Sequence, residues 1–329
     1  MEDKKPHIPY FDYIRGWAIV FVVFNHSYSG DPLAGTFVQE LYLVLREIVT
    51  CAVPLFLAES GYFLARKEIQ GWNQYRGFVF GHSIRIWLPM VIWSLPLFFI
   101  NDHKNVFVSA CFMLVGGYSI YYFITLIIQY YMLQPVLAKI DRGGVILCFI
   151  ITCISTAFVC YMMAIKGVDL NLLEAVGLFP IWLVYPALGY YICKKGRDYK
   201  LWLWIVVLFG SLAACVLESK ALYMPYRQGL GATKLSAVIF SCAAIMVLFN
   251  SKIENALTGS NIIFKVVLYL GEISFGIYLI HKYFLDFLIT PFVNDTIVRT
   301  ILTLALSTAF ICFIKLLIPR VANKFLGFK

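Results

Sequence analysis

Apolar runs long enough to cross a bilayer follow one another along almost the whole chain, and no polar gap between them reaches twenty residues. Few folds tolerate that pattern. In hydrocarbon every backbone N–H and C=O must be paired within the protein, so such a chain builds helices rather than open sheets. A spanning helix takes about 20 mostly apolar residues. Ten stretches meet that need: roughly 13–29, 46–65, 84–101, 118–138, 144–165, 173–193, 201–218, 233–250, 263–285 and 297–319. The stretch 106–117 is apolar but short, and reads as a re-entrant or interfacial piece. The expected fold is all-α: a polytopic membrane protein of about ten transmembrane helices, one integral membrane domain over residues 1–329.

Composition removes the competing classes. Charged residues make up 14% and apolar residues 61%, whereas a soluble domain carries about a quarter charged residues. The nine cysteines form no C-x-x-C pair and lie mostly within apolar runs. They read as small buried hydrophobes, with neither a metal site nor a disulfide framework implied. The first apolar run carries Asp12, Arg15 and His26 and lacks a small-residue cleavage site, so it reads as a retained span. A net charge of +9 would suit nucleic acid, but the basic residues sit in short clusters between apolar runs, where membrane proteins keep their topology signals. No nucleic-acid partner is expected. With both termini in the cytoplasm, eighteen Lys and Arg fall on inner segments and eight on outer ones. The positive-inside bias therefore predicts cytoplasmic termini, with Lys194-Lys195-Gly196-Arg197 as the clearest anchor.

Ionisable residues inside these runs are the functional candidates, because charge in hydrocarbon is costly. Asp12, Arg15 and His26 share one helix face: three residues and then eleven bring the side chains back to nearly the same direction. At 1.5 Å per residue, Arg15 and His26 are separated by about 16 Å. One polar stripe thus runs most of the way through the bilayer, as a conduit would require. Histidine suits proton transfer near neutrality, and a neutral imidazole can take a proton from an attacking hydroxyl. Glu59 must be paired, protonated or turned to a cavity; pairing with Arg15 and a direct chemical role both stay open. Ser60-Gly61 beside it would let two backbones approach closely. Arg15, Arg76, His82 and Arg85 make an inner-rim cluster that either holds a phosphate-bearing ligand or marks topology. In the ninth run Ser274, Tyr278 and His281 recur at i, i+4 and i+7 on one face, with Glu272 close by. The segment 218–234 is the most charged outer loop, with Glu218, Lys220, Arg227 and Lys234 among tyrosines. No phosphate-binding glycine loop, zinc-protease helix, nucleophile elbow or dinucleotide fingerprint occurs.

Phe11-Asp12-Tyr13-Ile14-Arg15-Gly16-Trp17, running on to Asn25-His26, resembles the opening of the acyltransferase type-3 family of ten-span bacterial membrane enzymes. Three later segments resemble the family in order: Val53-Pro54-Leu55-Phe56 with Ser60-Gly61-Tyr62, then Arg85-Ile86-Trp87-Leu88-Pro89, then Gly271 through His281. The resemblance covers essentially the whole chain. It implies an enzyme of the bacterial inner membrane that takes an acyl group, usually acetyl, from cytoplasmic acyl-CoA. The group goes to a hydroxyl of an extracytoplasmic or lipid-linked polysaccharide, with no metal required. Carried onto this sequence, it implies His26 as general base with Arg15 and Asp12 in support. Arg85, Arg76, His82 and Ser60 are expected on acetyl-CoA, and Glu59, Tyr278, His281 and Ser274 toward the acceptor. His82 stands where an arginine is usual, Ile120-Tyr121-Tyr122-Phe123 where the family has His-Leu-Trp-Phe, and Glu59 where a small or apolar residue is usual. A transporter of a glycan or small polar solute, using the same stripe as its path, is the competing expectation.

Overall fold

The structure, a computed structural model, describes residues 7–28, 35–101, 105–226, 234–259 and 261–328. Among them there is no strand. The helices are α1 (Pro9–Ser27), α2 (Phe37–Val49), α3 (Ala52–Ala65), α4 (Gly71–Ile100), α5 (Val106–Leu114), α6 (Tyr122–Met132) and α7 (Gln134–Leu137). Then come α8 (Arg142–Cys160), α9 (Leu172–Val176), α10 (Val184–Lys195), α11 (Leu201–Tyr226) and α12 (Leu235–Leu248). The chain ends with α13 (Ser251–Leu257), α14 (Ile262–Glu272), α15 (Ser274–Tyr283), α16 (Thr296–Leu317) and α17 (Pro319–Phe325). Several starts are written in the sequence. Thr36 and Gln39 close a capping box on α2, and the Asp141, Asn261 and Asp295 side chains accept from the third backbone N–H of α8, α14 and α16. Pro9 and Pro319 open α1 and α17, where a missing N–H costs nothing.

The all-helical, multi-pass expectation holds; the span count is coarser than ten. Five stretches are continuous and apolar enough to cross a bilayer: Phe37–Ala65, Gly71–Ile100, Arg142–Met163, Leu201–Ala221 and Thr296–Leu317. Two bent pairs bring the number to seven: α12 with α13 at 67°, and α14 with Ser274–Ile289 at 78°. The expected span 118–138 is divided at Leu133, with Pro135 in the first turn of α7. That at 173–193 is divided into α9, a tight turn at Phe179–Trp182 and α10. A hydropathy window counts apolar side chains and is blind to these breaks. Helix α1 has the length of a span, at 19 residues, but Asp12, Arg15, Asn25 and His26 lower its hydropathy. The apolar piece after residue 105 is the nine-residue α5. Of the residues weighed for orientation, Lys4, Lys5, Lys104, Arg227 and Lys329 lie outside the described residues, as does 227–233 of the charged outer loop.

Two glycine-lined crossings hold the centre together. In the first, α1 meets α14. A Cβ on Gly271 would lie 1.8 Å from the Asp12 carbonyl oxygen, and one on Gly16 would lie 1.9 Å from that of Val267. In the second, α3 meets α10. A Cβ on Gly189 would lie 2.0 Å from the Ala58 carbonyl oxygen, and one on Gly61 would lie 2.2 Å from that of Pro186. Small residues drive helix association in lipid because backbones can then touch. The close approach expected at Gly61 is thus realised, and its partner is α10. Around these crossings Phe11, Ala18, Ile19, Leu55, Ala58 and Ala187 are fully buried.

Candidate functional site

Arg15 organises the site. It projects from α1 one turn after Asp12, so its Nη1 donates to Asp12 Oδ1 at 2.9 Å while its Nε donates to Glu59 Oε2 at 3.2 Å. His7 faces the other oxygen of Asp12. Glu59 is deeply buried on α3 and its Oε1 has no hydrogen-bond partner among the described residues. The pairing expected for Glu59 is therefore present, and it leaves one carboxylate oxygen unused. Two carboxylates hold the guanidinium from two helices, which fixes its direction more firmly than one could.

This group borders a cavity of about 1040 Å³. Six residues singled out in the sequence line it together: Arg15, Glu59, Ser60, Arg85, Ser274 and Tyr278. Phe56, Phe123, Ile127, Tyr131 and Phe275 make its apolar walls. The 78° break after α14 brings two more positions, Gly271 and Glu272, to the rim beside Ser274. Gly271 is the pivot, because its α-carbon lies against the Asp12 carbonyl where no side chain fits. Helix α15 then starts at the cavity wall, and Ile273 supplies no side-chain cap to its first turn. A helix N-terminus carries partial positive charge from its unpaired N–H groups.

The face expected along α15 is real. Ser274 and Tyr278 line the cavity, and His281 lies one further turn along. Tyr278 is held by its hydroxyl, which donates to the Ile120 carbonyl at 2.5 Å. Behind it the rings of His281 and His26 stand 5.4 Å apart between centroids, with the Tyr278 and His281 rings 6.3 Å apart. His281 is fully buried; its Nδ1 lies 3.0 Å and 2.9 Å from the Ile277 and Tyr278 carbonyl oxygens. Nδ1 must therefore carry the hydrogen, which leaves Nε2 as an acceptor. That Nε2 has no partner among the described residues. The order in space is cavity, Tyr278, His281, His26.

Four expected residues stand elsewhere. His26 and His281 do not line the cavity, being separated from it by Tyr278. Arg76 borders a different groove of about 850 Å³, with Trp72, Phe80 and Trp87 on α4. His82 bonds Lys67 and the Phe78 carbonyl, and its ring makes an edge contact with Tyr131 of the cavity wall. In exchange the structure adds Arg320, Asn323 and Lys324 of α17 to the lining. Their signal in the sequence was the cluster of basic residues after the last apolar run, which reads equally well as topology charge.

The arrangement can hold phosphate and can move a proton. Arg85, Arg320 and Lys324 make no ion pair among the described residues, so their charge is available to an anion. Of the imidazole pair behind Tyr278, His281 combines an open acceptor nitrogen with burial from water, and His26 is partly exposed. In the comparison with known proteins, a family described as an acyltransferase domain matches residues 8–318, nearly the whole chain. No curated protein and no solved structure matches it.

Proposed function

The chain belongs to the acyltransferase family whose domain spans it, and from that premise we propose that it carries an acyl group, acetyl in the first instance, from cytoplasmic acyl-CoA to a hydroxyl of an extracytoplasmic or lipid-linked polysaccharide. The observation that carries the reading is an order in space: a cation-lined cavity, Tyr278 in its wall, and His281 and His26 behind that ring. A donor with phosphates at one end and a thioester on a long arm at the other matches that order. Arg85 takes phosphate at the mouth. The arm lies along Phe56, Phe123 and Phe275, and its thioester is carried toward His26.

His26 acts as general base. Its imidazole takes the proton of the acceptor hydroxyl as that oxygen attacks the thioester carbonyl. The carbon–sulfur bond then breaks, and the departing thiolate takes a proton. His281, with its Nδ1 turned to backbone carbonyls and its Nε2 open, orients His26 and offers a second acceptor for the proton. Arg15, braced by Asp12 and Glu59, keeps the inner end charged and in register. Direct attack is the simpler course, since among the described residues neither Ser60 nor Ser274 of the lining hydrogen-bonds a histidine.

Transport of a polar solute is the competing reading, and one observation favours it. Broken helices whose half-helix ends face a central site recur in transporters, and α14–α15 is such a break. Turnover of acetyl-CoA by purified protein in nanodiscs separates the two. Wild type should release CoA in the presence of a suitable acceptor, and His26→Ala should lose that release. Solute flux that survives His26→Ala, with no binding of any acyl-CoA at millimolar concentration, would instead establish the transporter.

A further inference from the structure

The donor reading leaves one wall of the cavity without a task, the face of α17 that carries Arg320, Asn323 and Lys324. Spacings of three and four put these on one side of the helix, while Ala322 is fully buried. The chain behind α17 is locked into the bundle. Phe328 is 1% exposed, its ring 5.8 Å from that of Trp93 and 6.2 Å from that of Phe310. Trp93 Nε1 donates to the Leu326 carbonyl at 3.2 Å. Gly327 adopts a φ of 74°, and the space for a side chain there is taken by Phe275 and Leu279. A charge that only marked topology would need none of this fixing.

Arg15 and Arg85 stand on the other elements lining the same space. Arg15 is already matched by two carboxylates. Arg85, Arg320 and Lys324 are matched by none among the described residues, and the one lining carboxylate outside any ion pair is Glu272. The uncompensated charge is therefore positive and comes from more than one wall of a space of about 1040 Å³. A small monoanion would satisfy one such cation. An elongated ligand with phosphates at several points satisfies them together.

We infer that α17 is the phosphate-reading wall of the donor cavity: Arg320 and Lys324 bind phosphates of the acyl carrier, so that the site selects a polyphosphorylated thioester over the bare thioester arm. This inference rests on the acyl-CoA reading above and adds a selectivity element to it, supplied by the helix after the last span.

The test is equilibrium binding to purified full-length protein in nanodiscs of zwitterionic lipid, with CoA, 3′-dephospho-CoA and pantetheine as probes. Wild type should bind CoA about ten-fold or more tightly than pantetheine, with 3′-dephospho-CoA between them. Arg320→Ala with Lys324→Ala should weaken CoA by about ten-fold and leave pantetheine unchanged. Arg320→Lys with Lys324→Arg should recover most of the loss. Both side chains are exposed, so an unchanged Tm should accompany each variant. Added salt should weaken CoA binding more in wild type than in the double alanine variant. Equal CoA affinity in wild type and the double alanine variant would overturn the role of α17 and leave the donor reading intact. Pantetheine weakened as much as CoA would also overturn it, because phosphate would not be what is read. Wild type that binds no CoA at millimolar concentration would overturn the donor reading itself, and this inference with it.

Discussion

Two ionic groups are built into the bundle, and they are finished differently. The pair of Glu47 on α2 and Lys234 at the start of α12 is closed. Lys234 contacts Glu47 Oε2, the Ser219 hydroxyl and the Cys215 carbonyl, and Ser219 in turn donates to Glu47 Oε1 at 2.7 Å. Its charged ends are essentially unexposed. The group of Asp12, Arg15 and Glu59 is open. Arg15 keeps 31% of its side chain exposed, Glu59 Oε1 has no hydrogen-bond partner, and a large cavity borders both. A saturated buried ion pair holds elements in place. An unsaturated one at a cavity has capacity left for a ligand. That spare capacity makes the open group, rather than the closed pair, the candidate site.

The comparison is most severely tested by removing the cation from each group. Arg15→Ala should reduce acyl transfer by about 10²–10³-fold, the usual effect of losing one charge from a preorganised site, with a smaller loss of Tm than at the closed pair, because the place that the partly exposed Arg15 leaves borders the cavity. Turnover and melting measured on the same preparation decide this. Lys234→Ala should do the opposite. It strands Glu47 in a sealed place and should cost about 3–5 kcal/mol of stability, while turnover per folded molecule stays within about two-fold of wild type. Lys234→Met paired with Glu47→Gln should regain most of the lost Tm. If Lys234→Ala stopped turnover in folded protein, the division between a closed and an open group would be wrong.

A smaller effect sharpens the contrast between the two glycine crossings. Gly271→Ala and Gly189→Ala should each cost about 1–3 kcal/mol through overpacking. Gly271→Ala displaces the Asp12 backbone and Gly189→Ala that of Ala58, next to Glu59, so both should also raise KM for the donor in steady-state assays, the former more because Gly271 itself lines the cavity. The smallest effect lies outside the spans. Asp295 caps α16, and its carboxyl is held below its ordinary value by the Val298 N–H first and the Tyr42 hydroxyl second. A lowered folded value means that this contribution is complete above the ordinary value of 3.8 and is lost as pH falls through the lowered one. The Tm difference between wild type and Asp295→Asn should therefore be present at neutral pH and shrink in acid.

The stripe on α1 could be read from the sequence because it is local. Helical period alone puts Asp12 beneath Arg15, and the same arithmetic put Ser274, Tyr278 and His281 on one side of α15. The face was legible although the break before it was not. Nothing in Tyr269-Leu270-Gly271-Glu272-Ile273 separates a straight apolar helix from a bent one, since the bend depends on Gly271 meeting the Asp12 carbonyl 259 positions earlier in the chain. The placement of His26 behind Tyr278 was hidden for a similar reason: spacing along α1 suggested a straight line, and the contact with His281 comes from a distant helix. Arg320 and Lys324 were visible as charges but not as cavity residues. Their direction is decided by how Phe328 and Gly327 seat the chain after α17. Glu47 and Lys234 are 187 positions apart, and neither carries a local mark of the other.

The crossing of α1 and α14 also limits how this sequence can drift. The nearest atoms that a side chain at position 16 or 271 would meet are backbone oxygens, those of Val267 and Asp12. A clash with a side chain can be relieved by trimming the neighbour, but a carbonyl oxygen is the same in every residue. No second substitution can therefore rescue a larger residue at either place unless the two helices part. A combinatorial library that varies positions 16 and 271 together should return glycine at both, whether survivors are selected for catalysis or only for insertion and folding.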